Sequence, residues 1–229
     1  MNSFLINNIR IYNFKNRIDL IDYALLNSKS LIAINAKKIT SLSENQILFV
    51  NNNIGYPDGI GAVFALKRIG VDSIKIPGCE LWLDIIKRYP NKSYYLVGGT
   101  EYVISLTNKK LLEEFPGINI INYKCGYLSD NDIDSIISEL KVYKPDFIFV
   151  ACGSPFQENV IMNMNSHYKS VYVGLGGSFD VYSGIKSRAP KFIISYHLEW
   201  FYRILINPRR LVNHFFLIKY FFLFIKNRK

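Results

Sequence analysis

Short runs rich in β-branched and aromatic residues recur along this chain, separated by longer mixed segments, and that alternation restricts the fold more than any other feature. The runs are LIAIN (Leu31 to Asn35), SIKI (Ser73 to Ile76), YYLVG (Tyr94 to Gly98), INIIN (Ile118 to Asn122), FIFVA (Phe147 to Ala151) and SVYVG (Ser170 to Gly174). Each is bounded by Gly, Pro, Asn or Asp, as strands are. Segments of helical length lie between them, at about Asp58 to Ile69, Cys79 to Tyr89, Glu101 to Phe115, Asp130 to Tyr143 and Phe156 to Tyr168. The pattern predicts an α/β fold, a mostly parallel sheet with helices on both faces. No internal repeat or low-complexity linker interrupts it.

The chain has 229 residues, of which 49% are hydrophobic and 15% aromatic, so it can bury an ample core and disorder is excluded for most of its length. Its net charge of +10 is unevenly spread. From Lys186 onward, Lys186, Arg188, Lys191, Arg203, Arg209, Arg210, Lys219, Lys226, Arg228 and Lys229 stand against one acid, Glu199, which is +9 within 44 residues. This shift divides the chain into a near-neutral core, residues 1–185, and a basic, aromatic, helical C-terminal appendage, residues 186–229. Helical text from Ile194 to Leu205 is followed by Asn207-Pro208, where a break and a second helix from Arg209 are expected. The run FFLIKYFFLFI (Phe215 to Ile225) would extend about 16 Å as a helix, against a hydrocarbon layer of roughly 30 Å, and cannot span it. It either lies on an anionic membrane surface, where its flanking lysines and arginines bind, or docks on the core. A nucleic-acid partner is disfavoured, because these aromatics form one apolar stretch rather than alternating with phosphate-binding positions.

Cys79, Cys125 and Cys152 are odd in number and lack CxxC spacing, which supports neither a disulfide framework nor a zinc site. With an N-terminus that lacks secretion features, they point to a cytoplasmic protein. In a Rossmann-like sheet, ligands bind beyond the carboxyl ends of the strands. There the sequence places GYPDGIG with Asp58, LVGGTE with Gly98 and Gly99, ACGSPFQE with Gly153, Ser154, Gln157 and Glu158, and VGLGGSFDVYSG with Gly176, Gly177 and Asp180. Glycine turns that open helices present backbone N–H groups and suit a phosphate-bearing ligand. No P-loop is present, and GLGGSF is not a GxGxxG after the first strand. SDNDIDS (Ser129 to Ser135) reads as a helix cap with first-turn acids rather than as a metal–diphosphate motif. His167, His197 and His214 read as structural or surface residues, and no metal ligand set is expected.

The strings LIAINAKKI, YPDGIGAV, IPGCELW, LVGG, GSPFQE, GLGGSFDVYSG, RAPKF and LEWFYRIL…PRRL together resemble the WecG/TagA/CpsF family of bacterial glycosyltransferases, over about residues 30–212. The resemblance implies a metal-independent, inverting transferase with no cofactor, acting at the cytoplasmic face of the bacterial inner membrane. Its donor would be a UDP-activated N-acetylmannosamine-type sugar, with a UDP-hexose in O-antigen or capsule synthesis as the alternative, and its acceptor N-acetylglucosamine linked through diphosphate to undecaprenol. The family's general base falls on Asp58, for which a helix N-cap is the alternative role. Gln157 matches the glutamine of the GxPxQE motif, as a candidate for holding sugar or diphosphate, and Asn35 matches the asparagine ending the first strand motif. Many members carry threonine where this chain has Ala33. The INA pattern is similar instead to the enterobacterial branch, which transfers N-acetylmannosaminuronic acid. A diphosphate-contacting arginine corresponds to Lys75, which keeps the charge without the bidentate fork. The resemblance assigns Arg203, Arg209 and Arg210 to the departing diphosphate and gives Arg188 the task of bracing the appendage.

Overall fold

The computed structural model describes residues 2–196, 198–206 and 219–222, with the backbone alone for Lys191 and Arg203. In chain order the elements are β1 (Asn2–Ile6), β2 (Ile9–Asn13), α1 (Arg17–Leu26), β3 (Leu31–Ile34), α2 (Ala36–Ser41), α3 (Glu44–Asn51), β4 (Ile54–Pro57), α4 (Ile60–Arg68), α5 (Gly78–Arg88) and β5 (Ser93–Gly98). They continue with α6 (Glu101–Glu114), β6 (Asn119–Lys124), α7 (Asp130–Tyr143), β7 (Phe147–Ala151), α8 (Phe156–His167), β8 (Val171–Gly174), α9 (Ser178–Tyr182), α10 (Lys191–Ser195) and α11 (Glu199–Ile206). The strands form one sheet in the order β1-β2-β4-β3-β8-β7-β5-β6. Among the described strands, only β1 runs antiparallel to its neighbour.

Period-two side-chain alternation builds the two helical layers. Tyr94 and Leu96 of β5 with Phe147 and Phe149 of β7 face α1, α5, α6 and α9, where Leu20, Trp82, Ile104 and Phe179 complete one core. Tyr95 and Val97 with Ile148 and Val150 face the opposite layer, against Ile133, Ile136 and Leu140 of α7 and Val160, Ile161 and Met164 of α8. Further along that second face, Ile32 and Ile34 of β3 meet Ile39 of α2, Val50 of α3 and Ala62, Ala65 and Leu66 of α4. Burying each such aliphatic or aromatic side chain contributes roughly 1.5–3 kcal/mol, so the fold is an α/β sandwich held from both sides.

Differences from the sequence expectation concentrate at the start of the chain. β1 and β2 form a hairpin whose two-residue loop, Asn7 and Asn8, has φ of 48° and 64°, as a type I′ turn requires. The SIKI run is not a strand: both edges of β4 are taken by β2 and β3, leaving Ser73 to Ile76 no partner. One bond, from Ile76 N to Pro57 O at 2.8 Å, fixes that irregular segment beside the end of β4. The helix expected around Ile194 to Leu205 is interrupted. α10 stops where the Tyr196 N–H caps Ile194 O and Phe192 O, and α11 begins at Glu199. The break at Pro208, the helix from Arg209, and His197 and His214 lie outside the described residues. Of the apolar run 215–225, residues 219–222 are described: Tyr220 donates to Gly61 O and packs on the α4 side of the core, while Phe221 and Phe222 are exposed.

Candidate active site

The ends of β3 and β4 lie side by side, paired through Ile34 and Pro57, and the loops leaving them build the first part of the site. Asn35 caps α2, its Oδ1 accepting from Lys38 N at 3.1 Å. Asp58 follows β4, its own N–H bonded to Ile34 O at 2.9 Å. The N-cap of α4 is Gly59, not Asp58. The Asp58 carboxylate instead reaches across to α5, where Oδ1 accepts from Gly78 N at 2.8 Å. A carboxylate at the first turn of an 11-residue helix is favoured by the helix dipole. Burial nevertheless pushes its pKa above the ordinary carboxylate range, against the Gly78 hydrogen bond and the charges of Lys38 and Lys75, with Glu199 adding to the rise. Tyr56 lies beneath, fully buried, and its hydroxyl has no hydrogen-bond partner among the described residues. Gly78 tolerates no side chain, since a Cβ there would stand 2.9 Å from that hydroxyl.

A second group forms beyond β7 and β8. Gln157, in the first turn of α8, is 2% exposed. Its Oε1 accepts from Gly176 N at 2.7 Å, and its Nε2 donates to Glu158 Oε1 at 3.3 Å. Gly174 must be glycine here, because a Cβ would come within 2.5 Å of Gln157 Nε2. Glu158 pairs with Lys38 at 2.7 Å, both side chains almost wholly buried, and Glu158 Oε2 has no hydrogen-bond partner among the described residues. Asn35, Lys38, Glu158, Gln157 and Gly176 thus form one continuous polar path linking β3 to β8. Gly153 O accepts from Gln157 N at 2.8 Å, and the Ser154–Pro155 bond between them is cis. Ser154 itself is exposed.

Gly98 and Gly99 have φ of 149° and 71°. A Cβ on Gly98 would lie 2.6 Å from Ala151 O, so β5 and β7 close tightly at their ends. From there α6 leads outward to β6 while α8 leads inward to β8, which makes this crevice a switch point of the sheet. Gly177 caps α9, and Asp180 is paired with Lys186 at 3.1 Å. Arg203 is placed by its backbone alone, in α11, and Arg209 and Arg210 lie outside the described residues.

The structure therefore brings Asn35, Asp58 and Lys75 together, joins Gln157 to Gly176, and sets the Gly98–Gly99 turn two strands away. It adds residues that sequence reasoning missed, Lys38, Tyr56, Glu80 and Glu199, and sets Arg188, expected to brace the appendage, between Glu80 and Glu199. Their only sequence signal was position inside the quoted strings, since Lys38 in AKKI reads as a surface lysine. Glu158, noted but not singled out, is its buried partner. SDNDIDS is a capping box between Ser129 and Asp132, and His167 sits exposed at the end of α8 beside Ser166. Among the described residues, no group of three His, Cys, Asp or Glu side chains converges as metal ligands would.

Comparison with known proteins places this arrangement. The chain is 40% identical over 158 residues to the N-acetylglucosaminyldiphosphoundecaprenol N-acetyl-beta-D-mannosaminyltransferase of Bacillus spizizenii, an overlap covering 67% of this chain and 61% of that protein. It is 35% identical over 184 residues to the protein of the same name from Bacillus subtilis, covering 78% of this chain and 71% of the relative. The chain thus spans less than two thirds of the first relative's length. The description "Glycosyl transferase WecG/TagA/CpsF family" matches residues 4–229, and with Asp58, Gln157 and the glycine turns set at one end of a parallel sheet, the chain belongs to that family.

Proposed function

We propose that this protein is a glycosyltransferase that moves an N-acetylmannosaminyl-type sugar from UDP to N-acetylglucosamine carried on undecaprenyl diphosphate. The observation that carries the reading is the Asp58 carboxylate, held at the start of α5 by Gly78 N–H with its pKa raised by burial. A general base works best with a pKa close to the operating pH. In a single inverting displacement, the acceptor hydroxyl oxygen bonds to the anomeric carbon, its proton passes to Asp58, and the bond from that carbon to the UDP oxygen breaks. UDP leaves with the electron pair. Lys75, the start of α5 and the C-terminal arginines Arg203, Arg209 and Arg210 supply positive charge for that diphosphate. Gln157 acts by shaping the Gly174–Gly176 turn, where Gly176, Gly177 and the neighbouring Asp180 border the donor. The Gly98–Gly99 and Gly153–Ser154 turns border it from β5 and β7. Among the described residues no helix is long and apolar enough to cross a membrane. We place the protein at the cytoplasmic membrane surface, with exposed Phe221 and Phe222 and the basic C-terminal segment facing lipid.

Asp58→Asn tests the mechanism: kcat should fall by about 10²–10⁴-fold while UDP binding persists. Turnover like the parent's would remove Asp58 as base. A donor panel with one lipid-linked acceptor tests the sugar. The relatives' names support N-acetylmannosamine as the transferred sugar, and Ala33 in the INA string supports its uronic acid. Turnover with a plain UDP-hexose alone would overturn both.

A further inference from the structure

Glu80, in the first turn of α5, stands in a ladder of charges that reaches the C-terminal segment. Arg17 of α1 bonds Asp84 at 2.8 Å and Glu80 Oε2 at 3.1 Å. The other oxygen of Glu80, Oε1, takes Arg188 Nη1 at 2.9 Å. Arg188 Nη2 then faces Glu199 Oε2, the first residue of α11, at 4.0 Å. Two donors of this guanidinium, Nε and Nη2, are buried and make no hydrogen bond among the described residues. They form one edge of the planar group, the edge that receives a carboxylate through two parallel bonds. Leaving such donors buried and unbonded is costly, and Glu199 is the carboxylate facing that edge.

We propose that Arg188 is a positioning residue that latches α11 to the first turn of α5, gripping Glu80 through Nη1 and, in the closed form, Glu199 through its Nε–Nη2 edge. The inference rests on the proposed transfer reaction only for its catalytic consequence. α5 is the helix whose Gly78 N–H holds Asp58, so closing the latch fixes the C-terminal segment beside the base. Among the described residues, five groups act on Asp58 or are acted on by it: Lys38 of α2, Lys75, Tyr56 of β4, Cys79 of α5 and Glu199 of α11. Lys38 and Lys75 favour its ionised form, while Glu199 opposes it. Tyr56 and Cys79 are themselves pushed upward, chiefly by burial and also by Asp58. The latch therefore brings to the site the one carboxylate among them that raises the Asp58 pKa.

Glu199→Gln, Glu80→Gln and Arg188→Lys in the full chain test this by two separate readouts. Limited proteolysis of the segment after residue 196 reads the latch directly, whether or not sugar is transferred. Cleavage should accelerate about tenfold or more in each variant, the scale of a lost charge-assisted bond. In the transfer assay, kcat should fall more than KM rises, and the acid limb of kcat/KM in Glu199→Gln should move to lower pH, because a negative neighbour of the base is gone. Arg188→Lys, which keeps the charge without the fork and loosens the hold on Glu199, should move that limb in the same direction by less. Parent-like proteolysis in Glu199→Gln and Glu80→Gln, with an unmoved acid limb, would overturn the latch. Absence of transfer by the parent itself would overturn the proposed function and leave proteolysis to decide the latch.

Discussion

Asp58 combines a cost to the fold with its proposed use. Its folded-state pKa is raised by burial, so the folded chain binds that proton more tightly than the unfolded chain. The contribution of this group to stability is complete below the ordinary aspartate pKa and is lost as pH rises through Asp58's own value. Asp58→Asn keeps an acceptor for Gly78 N–H and removes the charge. Its melting temperature should exceed the parent's by more at about pH 8 than at about pH 4, and calorimetry at the two pH values checks this. Lys38 and Glu158 give a second residue-scale prediction. Lys38→Met alone strands a buried carboxylate and should cost about 3–5 kcal/mol in urea unfolding, whereas adding Glu158→Leu should recover much of it. Strictly additive losses would show that the two side chains are independent. The Asp58 motif was legible as a string, but its partner was not: Gly78 N–H lies across a loop, and only folding brings it to the carboxylate.

At the scale of elements, α6, α7 and α8 fall within a residue or so of where their periodicity and caps placed them. Thr100 and Ser129 cap the first two by accepting from Val103 N and Asp132 N, a local device that sequence displays. β4 was hidden, because Ile-Gly-Tyr-Pro reads as a turn. Gly55 is required there by tertiary contact, since a Cβ would come within 2.5 Å of Arg10 O on β2. The opposite end of the sheet is tied by Asp146, whose Oδ2 accepts from Ser93 N at 2.9 Å and Ser93 Oγ at 2.8 Å, and whose Oδ1 accepts from Lys92 Nζ at 2.9 Å. Partial burial works to raise its pKa, but the bonds from Ser93 and Lys92 outweigh it and hold the carboxyl below its usual range. This stabilisation is present above the ordinary aspartate pKa and is lost as pH falls through the depressed value. Asp146→Ala should cost about 1–3 kcal/mol at neutral pH, and the gap between variant and parent should narrow in acid. Denaturant midpoints measured across that range check it.

For the whole molecule, charge separates two surfaces. The last 44 residues hold +9 of the net +10, and each basic side chain near anionic lipid contributes about 1 kcal/mol. A chain ending at Ser187 should therefore lose binding to vesicles of anionic lipid and lose transfer, and the binding of the full chain should weaken with salt. Vesicle cosedimentation checks both, and a truncated chain that still binds would refute this segment as the anchor. By itself the sequence determined the parallel sheet, the two-layer core, the glycine turns at the strand ends and the family, because periodicity, capping and motif strings are properties of neighbouring residues. Tertiary structure alone decided that Lys38 neutralises Glu158, that Asp58 leans on α5 rather than capping α4, and that Arg188 stands between Glu80 and Glu199. Hydrogen bonds and ion pairs act over a few ångströms, and which side chains come within that range depends on the crossing of strands and helices distant in sequence.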